Sequence, residues 1–485
     1  MFKPLLLIVV MIAIAACRQP TLIEISRIQH VENGLLPAVN VRGVTAPPPM
    51  KLADRMAYYH VPGVGIAVVN NGALEWARGY GVVGARETRP VTTDTLFQAA
   101  SISKPLTAMA ALTLVQDGRL SLDEDVNLKL KSWRVPDNTF TAGHKVTLRA
   151  LLAHNAGFNV EDVGSYAAGE PWPTLVQALD GLPPAHSSPI RVEAEPGKAF
   201  RYSGGGYSVI QQLLIDVTGK PFPDLMQELV LGRLGMTSST FRQPLPAERD
   251  AVAAIGHDVN GEPLPDRWHI FPQAAAAGLW TTPSDLARFA IEMQRSFKGE
   301  SHAVLSMAMT KEMMTPRLAG YGFGWWVGGT GTRASFSHPG KNEGFLCMLF
   351  GYLDTGQGAV VMTNGDGGNP LFNEILRAIS HEYGWPDYQQ REKTAVAGNP
   401  AAYPSYAGEY EVSGLRVTIS QRGQDLFVQA PPTWPQPIKL YPAGGDQFFL
   451  VDEDVDLSFA KDTQGRVVEL RALARGQNGV AKKVR

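Results

Sequence analysis

Strand-like segments lie at both ends of residues 51–390, and the stretch between them is patterned for helices. Val64–Val69 is an apolar run, Asn71-Gly72 is a tight-turn pair, and Leu74–Tyr80 returns as a second strand. Far downstream, Ala334–His338, Phe345–Tyr352 and Gly358–Thr363 are again strand-like. Between them, Leu106, Met109, Ala110, Thr113 and Leu114 keep helical spacing, as do Val209, Ile210, Leu213, Leu214 and Val217 up to Gly219. Thr282-Pro283-Ser284-Asp285 is a helix start, followed on one face by Leu286, Phe289, Ala290 and Met293. A last helix is expected from Asn369-Pro370. This order predicts an α+β fold, an antiparallel sheet closed by both ends of the body with a helical lobe inserted.

The flanks differ in texture. Leu5–Ala16 is apolar but too short to span a bilayer, which fits a signal peptide over residues 1–16. Residues 17–50, ending in Ala46-Pro47-Pro48-Pro49, are expected to be a tether. Residues 401–485 alternate in short strands with turns at Arg422-Gly423 and Gln464-Gly465, which predicts a small all-β domain, a sandwich or a barrel. A formal net charge of −2 with no basic stripe argues against nucleic acid as a partner. Cys17 and Cys347 are too few for a disulfide framework, and no histidine cluster points to a metal. No cofactor is implied. Gly79-Tyr80-Gly81-Val82-Val83-Gly84 has the letters of a dinucleotide loop, but turn-like residues follow where a helix is needed.

The chemistry gathers at Ser101-Ile102-Ser103-Lys104. Three residues apart on a helix, Ser101 and Lys104 share a side, and a desolvated lysine can accept a serine proton. The same spacing recurs at Ser458–Lys461, but in an alternating strand it sends the two side chains to opposite faces. Pro105 belongs in a first turn, so the helix is expected to begin near Ser101, with unpaired N–H groups beside the reacting oxygen. Tyr202, in the turn Arg201-Tyr202-Ser203-Gly204 before the next helix, is a candidate proton carrier, held as phenolate by a neighbouring ammonium. His338-Pro339-Gly340 sets a polar side chain and a glycine at a strand edge, where a substrate backbone can approach.

These stretches resemble the class C β-lactamase and penicillin-binding serine hydrolase family. Phe97–Lys104 looks like its nucleophile motif, and Leu151-Leu152-Ala153-His154-Asn155-Ala156-Gly157 and Ala277–Ala287 are similar to further family stretches. The resemblance implies Ser101 as nucleophile, Lys104 as its proton partner and Tyr202 as general base and acid. It also implies substrate binding at His338, Gly340, Gly204 and Lys341, the last through an oxyanion N–H. Residues 401–485 are similar to the small, lipocalin-like β-domain often appended to such hydrolases. Ile14-Ala15-Ala16-Cys17 resembles a lipobox, which implies lipidation of Cys17 and a membrane anchor, on the outer membrane in a Gram-negative host. Two departures stand out: the family's Tyr-x-Asn is Tyr202-Ser203-Gly204 here, and its Lys-Thr-Gly is His338-Pro339-Gly340. Both favour an ester, D-amino-acid peptide or amide over a β-lactam as the small-molecule substrate. The alternative is a slowly acylating penicillin-binding or cell-wall-binding sensor with little turnover.

Overall fold

The computed structural model describes residues 21–43, 48–412, 414–431, 434–474 and 477–484; the expected signal peptide and Cys17 lie outside the described residues. The central sheet contains β1 (Gly63–Asn70), β2 (Ala73–Gly81), β3 (Trp326–Gly328), β4 (Ser335–Asn342), β5 (Phe345–Tyr352) and β6 (Gly358–Thr363). They lie side by side as β2-β1-β6-β5-β4-β3, antiparallel throughout. β1 pairs with β6, Val64 opposite Thr363, so the two ends of the body close one sheet as the pattern predicts. Asn71 and Gly72 hold φ of 52° and 70°, the left-handed pair of a two-residue hairpin turn.

Successive strand residues serve opposite faces. Val64, Ile66, Val68, Met348, Phe350 and Val361 pack under helix α4 (Gly368–Tyr383) through Leu371, Phe372, Ile375 and Ile379. Ala67, Val69, Cys347, Leu349, Val360 and Met362 join the larger core with α3 (Pro283–Lys298), which supplies Leu286, Phe289, Ala290 and Met293. That core extends into the inserted lobe, where α1 (Ser103–Gln116) is buried at every position from Ser103 to Leu114 and α2 (Gly204–Thr218) packs nearby. A helix buried on all sides is fixed by everything around it, so it positions what lies at its start.

The stretch read as a tether is structured where it is described. Thr21 and Glu24 form a capping box that starts the helix Leu22–Asn33, and Ile28 and Val31 enter the core beneath α4. The strand Val39–Arg42 then pairs in parallel with Arg391–Thr394. The apolar spacing in this stretch, Ile28, Val31 and Leu35, outweighs the prolines that follow it.

The C-terminal domain is a closed eight-stranded antiparallel barrel running from Gly408–Val412 to Gln477–Lys483. Tyr410 opposite Lys483 closes it, which removes the exposed edges a sandwich would keep. Its interior is filled by Val428, Leu440, Phe448, Leu457 and Phe459, with Tyr406 stacked on Phe459.

Candidate active site

Ser101 does not stand within α1 itself. It occupies a 3₁₀ turn, Ala100–Ile102, directly before α1, and Ala100 is held at φ 49°. A non-glycine residue there costs on the order of 1–3 kcal/mol, a strain that clusters where geometry is tied to function. The turn also changes the expectation of free donors: Ile102 N–H already bonds Ala99 O at 3.0 Å, and Ser103 N–H is satisfied by the turn's own carbonyls. Lys104, one residue into α1, is buried and sets Nζ 2.9 Å from Ser101 Oγ and 2.9 Å from Ala276 O. Burial lowers its pKa from 10.5 to about 7, against a smaller opposing pull from Asp162 and Glu161.

Tyr202 meets this pair from the lobe. Its hydroxyl is hydrogen-bonded to Ser101, and its ring lies 4.9 Å from Lys104 Nζ. Burial raises the phenol well above its ordinary value, with the Ser101 bond a smaller lowering influence. The expected phenolate is therefore replaced by a neutral phenol, since Lys104 is itself too desolvated to supply a fixed cation.

His154 holds Tyr202 in place. His154 O accepts from Arg201 N–H at 2.7 Å, and His154 Nδ1 accepts from Ser203 N–H at 3.1 Å, so the backbone donors on both sides of Tyr202 are secured. The His154 and Tyr202 rings pack with centroids 4.3 Å apart. His154 is itself at φ 54°, and burial drives its pKa far down, so it is neutral.

The third expected motif is placed differently. His338 is 1% exposed and lies behind the cavity wall. Its Nδ1 donates to Pro339 O at 2.6 Å and its Nε2 accepts from Tyr321 OH at 3.1 Å, so both ring nitrogens are used internally. Burial, then the Lys104 ammonium, lower its pKa to about 3. At Gly340 the close approach comes from the chain itself: a Cβ there would stand 2.3 Å from Ala99 O and 2.4 Å from Cys347 Sγ. Gly340 thus lets the segment before Ser101 rest on β4. Cys347 is buried and donates to Ala99 O at 3.2 Å.

Ser101, Lys104, Tyr202, Gly204 and Lys341 line one cavity of about 380 Å³. Its wall also includes Glu161, Asp162, Ser165, Asn342 and Glu343, none of which the motifs single out. Asn342, two residues past Gly340, was within reach of strand periodicity; it bonds Gln98 Oε1 at 2.8 Å and Ala277 O at 3.2 Å. Glu161 and Asp162 sit in a loop after the Leu151–Gly157 stretch, and no spacing in the sequence announces them. Ser458 is remote from this cavity, on a barrel strand opposite Arg471, and its Lys461 is paired with Asp446 at 2.6 Å. Among the described residues no cluster of metal-ligating side chains occurs, and no helix is long and apolar enough to cross a membrane.

An antiparallel sheet, an inserted helical lobe, and a serine, lysine and tyrosine meeting at their junction define the β-lactamase-fold serine hydrolases. The family model described as Beta-lactamase matches residues 51–383, and the chain belongs to that family. It is 26% identical over 379 residues to penicillin-binding protein 4 of Amycolatopsis lactamdurans, covering 73% of this chain and 94% of that protein. The fold is similar to the octameric penicillin-binding protein homologue from Pyrococcus abyssi, with a TM-score of 0.61 and 20% identity over 89% of this chain and 98% of that one. It is also similar to the D-amino acid amidase from Ochrobactrum anthropi SV3, with a TM-score of 0.56 and 22% identity over 74% and 99% of the two chains.

Proposed function

We propose that this protein hydrolyses an ester, D-amino-acid peptide or amide through an acyl-enzyme on Ser101. The observation that carries this reading is the buried Lys104 Nζ, 2.9 Å from Ser101 Oγ, with its pKa lowered to about 7. A free amine is well populated at neutral pH and sits at bonding distance from the hydroxyl it must deprotonate. Ser101 Oγ attacks the carbonyl carbon as its proton passes to Lys104 Nζ. Collapse of the tetrahedral intermediate expels the leaving group, which takes the proton of the Tyr202 phenol; the neighbouring Lys104 ammonium, 4.9 Å from the Tyr202 ring, returns its proton to the Tyr202 oxygen and becomes the free amine again. Water, deprotonated by the same amine, then releases the acid and restores Ser101. Tyr202 works as a neutral relay, since burial disfavours its phenolate.

The test is intact-mass spectrometry of the full chain over a time course with an ester, a D-alanyl peptide and a β-lactam. Expected is a transient adduct on Ser101 with the ester or peptide and accumulation of free acid. An adduct that persists without product would replace turnover by the sensor reading, and no adduct on Ser101 would end both. The lipobox-like Ile14–Cys17 supports a second part of the proposal, export as a lipoprotein anchored through Cys17, on the outer membrane of a Gram-negative host. A fatty-acid analogue should label wild type and spare Cys17→Ser.

A further inference from the structure

The start of α2 has an unusual neighbour. Ser203 Oγ donates to Val160 O at 2.6 Å, Gly204 N–H to Glu161 O at 2.8 Å, and Gly205 N–H to Val160 O at 3.1 Å. A Cβ on Gly204 would stand 2.7 Å from Glu161 O and 2.9 Å from Val163 Cγ1. The missing side chain is therefore what allows the 160–163 loop to lie against the helix start. The loop brings Glu161 and Asp162 onto the wall of the cavity that holds Ser101, Lys104 and Tyr202. Both are exposed to that cavity, and neither carboxylate forms a hydrogen bond or ion pair with a described residue. Their field nevertheless reaches the reacting groups, because they are the charges that act on Lys104 and Tyr202.

The remaining charges do not cancel them. Lys104, with its pKa lowered to about 7, carries only part of a charge at neutral pH, Glu343 is paired with His269, and Lys341 is the one exposed ammonium on the wall. Two carboxylates without a partner on the wall beside Ser101 favour a cation there and disfavour an anion. We propose that Glu161 and Asp162 are specificity-determining residues that receive the free α-ammonium of an aminoacyl substrate whose carbonyl is attacked by Ser101. The proposal rests on Ser101 as the nucleophile. It narrows the substrate class to N-terminally free aminoacyl esters, amides or peptides, and it sets an N-acylated substrate at a disadvantage because an amide nitrogen carries no charge. The charge pair needs a protonated α-amine, so the preference fades as the amine loses its proton above about pH 7.5.

The experiment compares kcat/KM for alanine methyl ester and N-acetylalanine methyl ester, both enantiomers, at pH 7. Wild-type full chain, Glu161→Gln, Asp162→Asn and the double variant are assayed, with urea unfolding as the check on folding. In the better enantiomer, wild type should prefer the free amine by about tenfold or more, the scale of one charge-assisted contact. The double variant should bring the ratio to within about threefold, chiefly through KM of the free-amine ester. A wild-type ratio near one, or a ratio unchanged in a folded double variant, overturns the proposal. Fluorophosphonate labelling of wild-type Ser101 separates the two levels: ester hydrolysis with Ser101 unlabelled would refute the nucleophile itself, and the proposal with it.

Discussion

Replacing Lys104 with methionine should abolish activity and at the same time remove a pH dependence of stability. In the folded protein Lys104 loses its proton near pH 7; in the unfolded chain it keeps it to about 10.5. Between those values the unfolded state binds one proton more, so wild-type stability rises with pH by up to about 1.4 kcal/mol per pH unit. Below pH 7 both states are protonated, and the cost of burying the ammonium is fully present, about 5 kcal/mol as an upper scale. Lys104→Met has no such group and loses the slope, together with two hydrogen bonds, to Ser101 Oγ and Ala276 O, worth roughly 1 kcal/mol each. Urea midpoints of both proteins at about pH 7.5 and 9.5 give the test: the difference should move by roughly 2.7 kcal/mol in favour of wild type. In the same range wild-type kcat/KM should rise with a midpoint about pH 7, as the amine becomes free to take the Ser101 proton. The other groups in this field are Glu161 and Asp162, which raise the lysine, and His338 and His154, both neutral there. A stability difference flat with pH, or an activity midpoint above about 9, would refute a desolvated Lys104.

Fluorophosphonate labelling should disappear in Ser101→Ala and persist in Ser458→Ala, because Ser458 lies on a barrel strand and its Lys461 is committed to Asp446. Tyr202→Phe should reduce kcat by about 10²-fold or more with little effect on unfolding, the scale of a lost proton-transfer group. Gly204→Ala should destabilise by about 1–3 kcal/mol in urea titrations, since its Cβ would collide with the Glu161 carbonyl. An unchanged midpoint would mean that the 160–163 loop yields at no cost.

Motif spacing made Ser101, Lys104 and Tyr202 legible because the chemistry is local: three residues on one turn, and one tyrosine ahead of a glycine-opened helix. The sheet was legible for a similar reason, since Asn71-Gly72 and the apolar runs of β5 and β6 each declare their own conformation. What spacing does not carry is which surface a side chain meets after folding. His338 at a strand edge has the sequence look of a substrate ligand, yet Tyr321, 17 residues earlier, takes its Nε2 and turns it inward. Gly340 reads as an opening for substrate and Gly204 as a substrate-binding position; in the fold Gly340 admits Ala99, and Gly204, on the cavity wall, admits the 160–163 loop. Residues 21–43 read as a tether because their prolines are conspicuous, whereas the partner of Ile28 and Val31 is more than 300 residues away in α4.

Desolvation ties these placements into one mechanism. The same enclosure that lowers the Lys104 pKa to about 7 holds Tyr202 as a phenol and His154 and His338 as neutral rings. Each step of burial disfavours a resting cation in the site, so the ground state before substrate arrives pairs the Ser101 hydroxyl with an amine able to accept its proton, on Lys104, and keeps a second proton on Tyr202 for the leaving group. The carboxylates at the rim act against this: Glu161 and Asp162 raise the lysine pKa that burial depresses, and they do so from the solvent side, where a substrate can cover them. A cationic group bound there neutralises their field and lowers Lys104 further, so the amine is freed most completely once substrate is in place. The midpoint of kcat should therefore fall below that of kcat/KM for a free-amine ester, and the two should coincide for its N-acetyl counterpart.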